Sequence, residues 1–271
     1  MTAGGASASP RHPAAAPRPI SAVIVARDAG PAFAAVLESL APCAEVLVLD
    51  SGSTDGTVER ARAAGARVEH QPFLGYGPQK RRAVELASHD WILSIDADEV
   101  LDAEAQAACR GLDLSDPAAC WAIRRRTFVG RHEVRHGAWK GERVLRLFNR
   151  TTAGFKDLPV HEEVTASRPP RLLPGSILHH SYADCTAVLA RSLRYAPLKA
   201  GIMRARGEAA QAWTLPFRGA AAFVKSYVLR SGWRDGGIGF VVAVARVIDS
   251  TLPRALLLAG AADPPRSGRD A

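Results

Sequence analysis

Two acidic clusters hold the residues best suited to chemistry. Asp96-Ala97-Asp98-Glu99 follows the apolar run Trp91-Ile92-Leu93-Ser94-Ile95. An Asp-x-Asp pair can hold a hard Mg²⁺ or Mn²⁺ that bridges the two phosphates of a nucleotide diphosphate, because such ions prefer carboxylate and phosphate oxygens. The ion then neutralises charge that develops on the leaving group. Asp50 ends a second apolar run, Glu45-Val46-Leu47-Val48-Leu49, and enters Ser51-Gly52-Ser53-Thr54-Asp55-Gly56-Thr57. An acid beyond the carboxyl end of a strand is placed to hold a base or ribose. For Ser53, Thr54 and Asp55 the competing role is a helix cap, and for the Asp-x-Asp pair it is an exposed turn. Lys80 and Arg81 suit donor phosphates or a solvated helix face. His179 and His180 can offer an imidazole to a metal or a hydrogen bond to a diphosphate, and the sequence does not say which of the two reaches the site.

These residues need a scaffold that brings strand ends together. From Ile20 short apolar runs alternate with helical stretches: strands at 21–26 and 45–50, helices at 31–40 and 57–64, a strand at Arg67–His70, a helix at 78–87 and a strand at 91–96. That β-α-β-α order predicts an α/β fold with a mostly parallel sheet covered on both faces, since parallel strands require crossover helices. Past Glu99 the segments at 120–128 and 143–148 look mixed or antiparallel. From Asp184 the chain reads as helices interrupted at Pro197, Pro216, Gly236-Gly237 and Pro253. The expected organisation is a disordered leader at 1–19, a catalytic domain at 20–183, a helical region at 184–260 and a flexible tail at 261–271.

The chain has 271 residues, 47% of them hydrophobic, which is enough for a sizeable core, and a formal net charge of +8, which points to an anionic partner. Four dispersed cysteines form no C-x-x-C pair and suggest neither a zinc site nor a disulfide framework, which fits a cytoplasmic setting. The sequence has no G-x-x-x-x-G-K-[ST] and no G-x-G-x-x-G after its first strand, which sets aside P-loop and dinucleotide-binding classes. Scarce aromatics and the lack of a recognised signature argue against nucleic acid.

Three segments in order, Val48 to Thr57, Gly75-Tyr76-Gly77-Pro78-Gln79-Lys80, and Asp90 to Glu99, resemble family 2 glycosyltransferases of GT-A fold. Pro159-Val160-His161-Glu162 and His179-His180-Ser181-Tyr182 are similar to elements of the bacterial lipopolysaccharide core biosynthesis transferases. Arg81 departs from that pattern, which usually has Asn there. The resemblance implies an inverting transferase that uses a nucleotide-sugar donor, UDP-linked and with glucose as a candidate sugar. By that similarity Asp50 contacts the nucleotide, Asp96 and Asp98 bind a divalent cation, Mg²⁺ or Mn²⁺, and the diphosphate, and Glu162 is the base that takes the acceptor's proton. The expected site adds Ser51, Ser53, Asp55 and Lys80 beside Asp50 and Asp96 on the donor, and His180 on the cation.

Arg124, Arg125, Arg126, Arg131, Arg135, Lys140, Arg143 and Arg146 crowd the half expected to face the acceptor, where they would suit a phosphorylated lipid-linked saccharide or form a solvated basic face. The helical region mixes aromatics with arginines. Its apolar stretches stop short of the roughly 20 residues that span a bilayer, leaving a peripheral contact with the inner face of the cytoplasmic membrane or an oligomer contact as the readings. A sugar-nucleotide-forming nucleotidyltransferase would need a Gly-rich basic loop after the first strand, which Val25 to Gly30 does not convincingly supply. A non-enzymatic basic module binding lipid or nucleic acid would leave the strand-end acids without a role.

Overall fold

The computed structural model of the protein describes residues 16–155 and 164–260. The chain runs β1 (Arg18–Ala26), α1 (Phe33–Ser39), β2 (Cys43–Asp50), α2 (Thr57–Ala63), β3 (Arg67–His70), α3 (Tyr76–Leu86), β4 (Trp91–Asp96), β5 (Glu99–Leu101) and α4 (Ala103–Arg110). It continues through β6 (Cys120–Val129), β7 (His132–Val134), β8 (Arg143–Asn149), β9 (Ala153–Phe155), β10 (Val164–Ala166), β11 (Arg171–Tyr182), α5 (Cys185–Ala205), α6 (Thr214–Phe223) and α7 (Gly236–Leu258).

One large sheet has the order β3-β2-β1-β4-β8-β6-β11-β5, with β7 paired to β6, while β9 and β10 form a separate antiparallel pair. The first four strands are mutually parallel. The second half mixes antiparallel pairings of β8 with β4 and β6 and a parallel pairing of β11 with β6. Alternate residues of β1 enter different cores: Ala22 and Ile24 pack with Phe33, Leu93 and Leu173, while Val23 packs with Leu49, Ala83 and Phe148. Both faces of the strand are buried, so its sequence is continuously apolar. Burying each large side chain contributes about 1.5–3 kcal/mol.

The sheet has to curl. β4 and β5 lie four places apart in the sheet, which would be about 19 Å if it were flat. Only Ala97 and Asp98 separate them in sequence, so the chain from Asp96 to Glu99 can reach at most about 11 Å. The curl draws the far edge back over the end of β4 and sets the acidic turn across it.

Asp184 caps α5 by accepting from the Ala187 N–H, and α5 and α7 then pack lengthwise. Pro197 and Pro253 lie inside these two helices and do not interrupt them, contrary to the sequence expectation. Each removes one backbone donor, and the packing of two helices of 21 and 23 residues outweighs that local loss. Pro216 sits in the first turn of α6, where a missing N–H has no helical partner to lose.

A close approach ties β11 to α4. Gly175 has φ +85°, and a Cβ there would lie 2.1 Å from the Ala105 backbone N and 2.6 Å from Asp102 Oδ1. Gly175→Ala should therefore destabilise the fold by about 2–4 kcal/mol in urea unfolding, from overpacking and an unfavourable φ together. A change below about 0.5 kcal/mol would show that β11 and α4 are not in this contact.

Candidate active site

In the parallel ladder Ala26 lies opposite Asp50, Val25 opposite Asp96 and Asp50 opposite His70. Both acids therefore leave the sheet at one carboxyl edge, as the apolar runs before them predict.

At the first edge the carboxylates shape the loops. Asp50 is buried and accepts from the Gly52 N–H at 2.8 Å, the Ser53 N–H at 3.1 Å and the Ser53 hydroxyl at 2.5 Å. Burial pushes its carboxyl up, but the hydrogen bonds from Ser53 and Gly52 outweigh this and hold it below the ordinary value. Asp28, in the left-handed region at φ 48°, accepts from the Thr54 N–H at 2.7 Å, while its own N–H donates to Ser53 Oγ at 2.9 Å. Asp55 accepts from the Gly30 N–H at 2.8 Å and the Thr57 N–H at 3.0 Å. The loops after β1 and β2 thus brace each other. The cap of α2 is Gly56 at φ 84°, not Thr54 or Asp55. Buried Gln79 closes a third side, donating to Ser51 Oγ at 3.0 Å and to the Gln71 carbonyl at 3.1 Å and accepting from the Leu74 N–H at 3.1 Å.

At the second edge Asp96 sits between two cations. Lys80 Nζ donates to Oδ1 at 2.7 Å and Arg146 Nη2 to Oδ2 at 2.5 Å. Burial would raise the Asp96 carboxyl, yet the charges of Arg146 and Lys80 overcome it and hold it far below the usual range. Glu99 is 0% exposed; its Oε1 accepts from Arg146 at 2.6 Å and Arg125 at 3.4 Å, and its Oε2 from the Asp96 N–H at 3.1 Å. Arg125 also grips Glu142 with two hydrogen bonds, at 2.6 and 3.1 Å.

The two acids of the expected metal pair have different surroundings. Asp96 has both oxygens on cations, whereas the Asp98 side chain is 44% exposed and no Lys or Arg among the described residues pairs with it. Asp98 instead faces His179, with Nε2 3.5 Å from Oδ2, and the Ser181 hydroxyl bonds to both. Burial pushes the His179 imidazole below its ordinary value and outweighs the opposing charge of Asp98. His180, expected on the cation, has its ring stacked on Phe128 with centroids 4.5 Å apart, and its backbone N–H donates to the Asp98 carbonyl at 3.2 Å.

Lys80, expected on donor phosphates, has its ammonium on Asp96. The basic run expected to face the acceptor is partly neutralised: Arg126 and Arg135 pair with Glu133, and Arg125 and Arg146 belong to the buried network. Among the described residues a cleft of about 1190 Å³ opens beside Asp96, lined by Arg143, Arg168, Arg171, Arg191 and Tyr195. Only Arg143 of these stood out in the sequence. Arg191 lies over the rings of Tyr182 and Tyr195, 5.5 and 5.6 Å from their centroids. Glu162 lies outside the described residues. Phe155 and Val164, on either side of that segment in sequence, pair across β9 and β10, and Val164 lines the cleft.

The profile of the family described as glycosyl transferase family 2 matches residues 21–168, more than half of the chain. The chain belongs to this family. Among its relatives, the lipopolysaccharide core biosynthesis glycosyltransferase LpsC of Rhizobium meliloti (strain 1021) is 30% identical over 246 residues, covering 88% of this chain and 91% of that protein. An uncharacterized glycosyltransferase of Rickettsia prowazekii (strain Madrid E) is 26% identical over 238 residues, 83% of this chain and 82% of the relative. A structure of glucosyl-3-phosphoglycerate synthase from Mycobacterium tuberculosis with Mn²⁺, UDP and glucosyl-3-phosphoglycerate is 28% identical over 41% of this chain and 44% of that one, with a TM-score of 0.32 that supports no residue-level comparison. The fold is of GT-A type, with helices appended after the transferase's sheet, and the protein is a glycosyltransferase.

Removing Arg146 from this transferase would leave the longer Arg125 contact as the remaining ion pair of buried Glu99 among the described residues. Arg146→Met should lower unfolding free energy by about 3–5 kcal/mol in urea titrations, the usual penalty for breaking a buried ion pair from one side. A change of less than about 1 kcal/mol, as for an exposed pair, would contradict the burial described here.

Proposed function

We propose that this transferase moves a sugar from a nucleoside-diphosphate donor onto a hydroxyl of a lipopolysaccharide core or related glycan, inverting the anomeric carbon, with a divalent cation at Asp98. The observation that carries the reading is the convergence of the Asp98 carboxylate and His179 imidazole at the carboxyl edge, where no Lys or Arg among the described residues neutralises Asp98. The carboxylate oxygen and the Ser181 hydroxyl suit Mn²⁺ or Mg²⁺, and the imidazole nitrogen favours Mn²⁺ of the two. Bound there, the ion would supply charge neutralisation for the departing diphosphate.

The remaining roles fall to the chain's own groups. The braced loops holding Asp50, Ser51, Ser53 and Asp55 shape the nucleoside side of the pocket, and Asp96 positions Lys80 and Arg146 beside the phosphates. Glu162 accepts the proton of the acceptor hydroxyl as the new C–O bond forms and the nucleoside diphosphate leaves from the opposite face. The similarity to LpsC supports the acceptor class, and the arginine-lined cleft supports an acceptor that carries negative charge.

The test incubates the protein with a panel of nucleotide sugars, UDP-glucose first, with Mn²⁺ or Mg²⁺ and core-glycan acceptors, and follows nucleoside diphosphate release. Asp98→Asn should keep the wild-type melting transition while losing more than the roughly 10–100-fold expected of an outer-sphere change. Glu162→Gln should leave donor affinity near wild type and slow transfer by about 10²–10⁴-fold. Release that is indifferent to metal, or unchanged in Asp98→Asn, would overturn the metal assignment. Absence of release with every donor would overturn the reading as a whole.

A further inference from the structure

Away from the cleft, the segment from Trp213 to Phe240 presents an unusual surface. Thirteen large apolar side chains are exposed among the described residues, and seven of them fall in this stretch of 28, so the exposure is concentrated rather than scattered. Trp213 and Phe217 are each 69% exposed, Leu229 73% and Trp233 58%. Trp213 and Phe217 lie edge to face with centroids 6.3 Å apart, and Phe240 of α7 packs edge-on against Phe223 and Tyr227 at 5.8 and 5.9 Å. The backbone holds these rings at a helix break: a π-helical turn at Val224–Leu229, Ser231 at φ 58°, and a 3-10 turn at Gly232–Asp235. Gly232 and Gly239 permit the tight packing of that break, since a Cβ on either would fall within 2.7 Å of backbone.

The charge on this surface has one sign. Arg218, Lys225, Arg230 and Arg234 are exposed, and no carboxylate among the described residues pairs with any of them. The single acid between Ala209 and Ile248 is Asp235, which is buried and held by His136 at 2.9 Å. Two copies meeting through this face would set cations against cations while burying the rings. A surface of negative headgroups over hydrocarbon matches both features at once, because Trp and Phe rings settle at the headgroup boundary and Lys and Arg are drawn to anionic lipid. No helix among the described residues is long and apolar enough to cross a membrane, so the contact would lie along the surface.

We propose that the Trp213 to Phe240 surface docks the enzyme on an anionic phospholipid bilayer. The docking unit is tied to the cleft through packing. α7, which carries Phe240, packs along α5, and α5 contributes Arg191 and Tyr195 to the cleft wall. The enzyme would thus meet a glycan that itself stands on a membrane while its arginine cleft is held by the same helices. This inference does not depend on the donor chemistry, and its test reads lipid binding rather than transfer.

The full chain is mixed with vesicles of phosphatidylcholine alone or with added phosphatidylglycerol, and bound protein is read by flotation. Binding should require phosphatidylglycerol and fall at least tenfold on raising salt to about 1 M, where the screening length is about 3 Å. The double variant Lys225→Glu, Arg234→Glu should lose binding at least tenfold, as should Trp213→Ser, Leu229→Ser. Each variant should keep the wild-type melting transition, and metal-dependent donor hydrolysis in the absence of vesicles should be unchanged. Failure to float with phosphatidylglycerol, equal binding by the exposed-residue variants, or a lipid-free dimer that dissociates on Leu229→Ser would each overturn the proposal.

Discussion

A buried lattice of charge sits where the two halves of the sheet meet. Glu99 has no contact with solvent and Asp96 is pressed between Lys80 and Arg146, and the cations that reach the two acids come from α3, β6 and β8. With Glu142 on Arg125, three carboxylates among the described residues face three cations. Its energetic contribution comes chiefly from the penalty of breaking it, since desolvation offsets much of the attraction in any buried pair. Its geometric contribution is larger. The lattice fastens the end of β4 to its neighbour β8, to β6 two places away and to β5 four places away, and holds the Ala97-Asp98 turn in place.

That pairing explains how one motif holds two different acids. Asp96 is neutralised from within the fold and acts on its surroundings through Lys80 and Arg146. Asp98, two residues on, is left at the rim with His179 and Ser181 and with no Lys or Arg beside it among the described residues. Of the two acids, Asp98 is the one to which the proposed function gives the cation. The braced loops after β1 and β2 have little freedom to rearrange, because Asp28, Asp50 and Asp55 each bind backbone N–H groups of those loops.

Much of this was legible in the sequence. Continuous apolar runs before Asp50 and Asp96 required strands buried on both faces, and their shared direction put the acids on one edge. The loop chemistry of 51–57 and 75–80 and the Asp-x-Asp spacing were enough to recognise the family. What the sequence withheld depends on distant partners. Nothing local marks Glu99 as buried or Arg146 as its counter-ion 47 residues away, so Arg125, Arg126, Arg135 and Arg146 read as a basic face when they are in fact paired. Asp28 and Gln79 are ordinary loop and helix residues until the fold brings them to Thr54 and Ser51. The choice between adjacent histidines depends on strand phase, which the irregular pairing of β11 between His179 and Tyr182 obscures. Pro197 and Pro253 looked like breaks because propensity is local, whereas α5 and α7 are held by each other.

The proposal turns on a divalent cation bound at the Asp98 and His179 edge. Mn²⁺ binding in the presence of UDP, followed by electron paramagnetic resonance in His179→Ala and His180→Ala, tests it directly. The account predicts that His179→Ala weakens Mn²⁺ binding by roughly tenfold or more while His180→Ala stays near wild type. Loss of Mn²⁺ binding in His180→Ala with His179→Ala unaffected would contradict it.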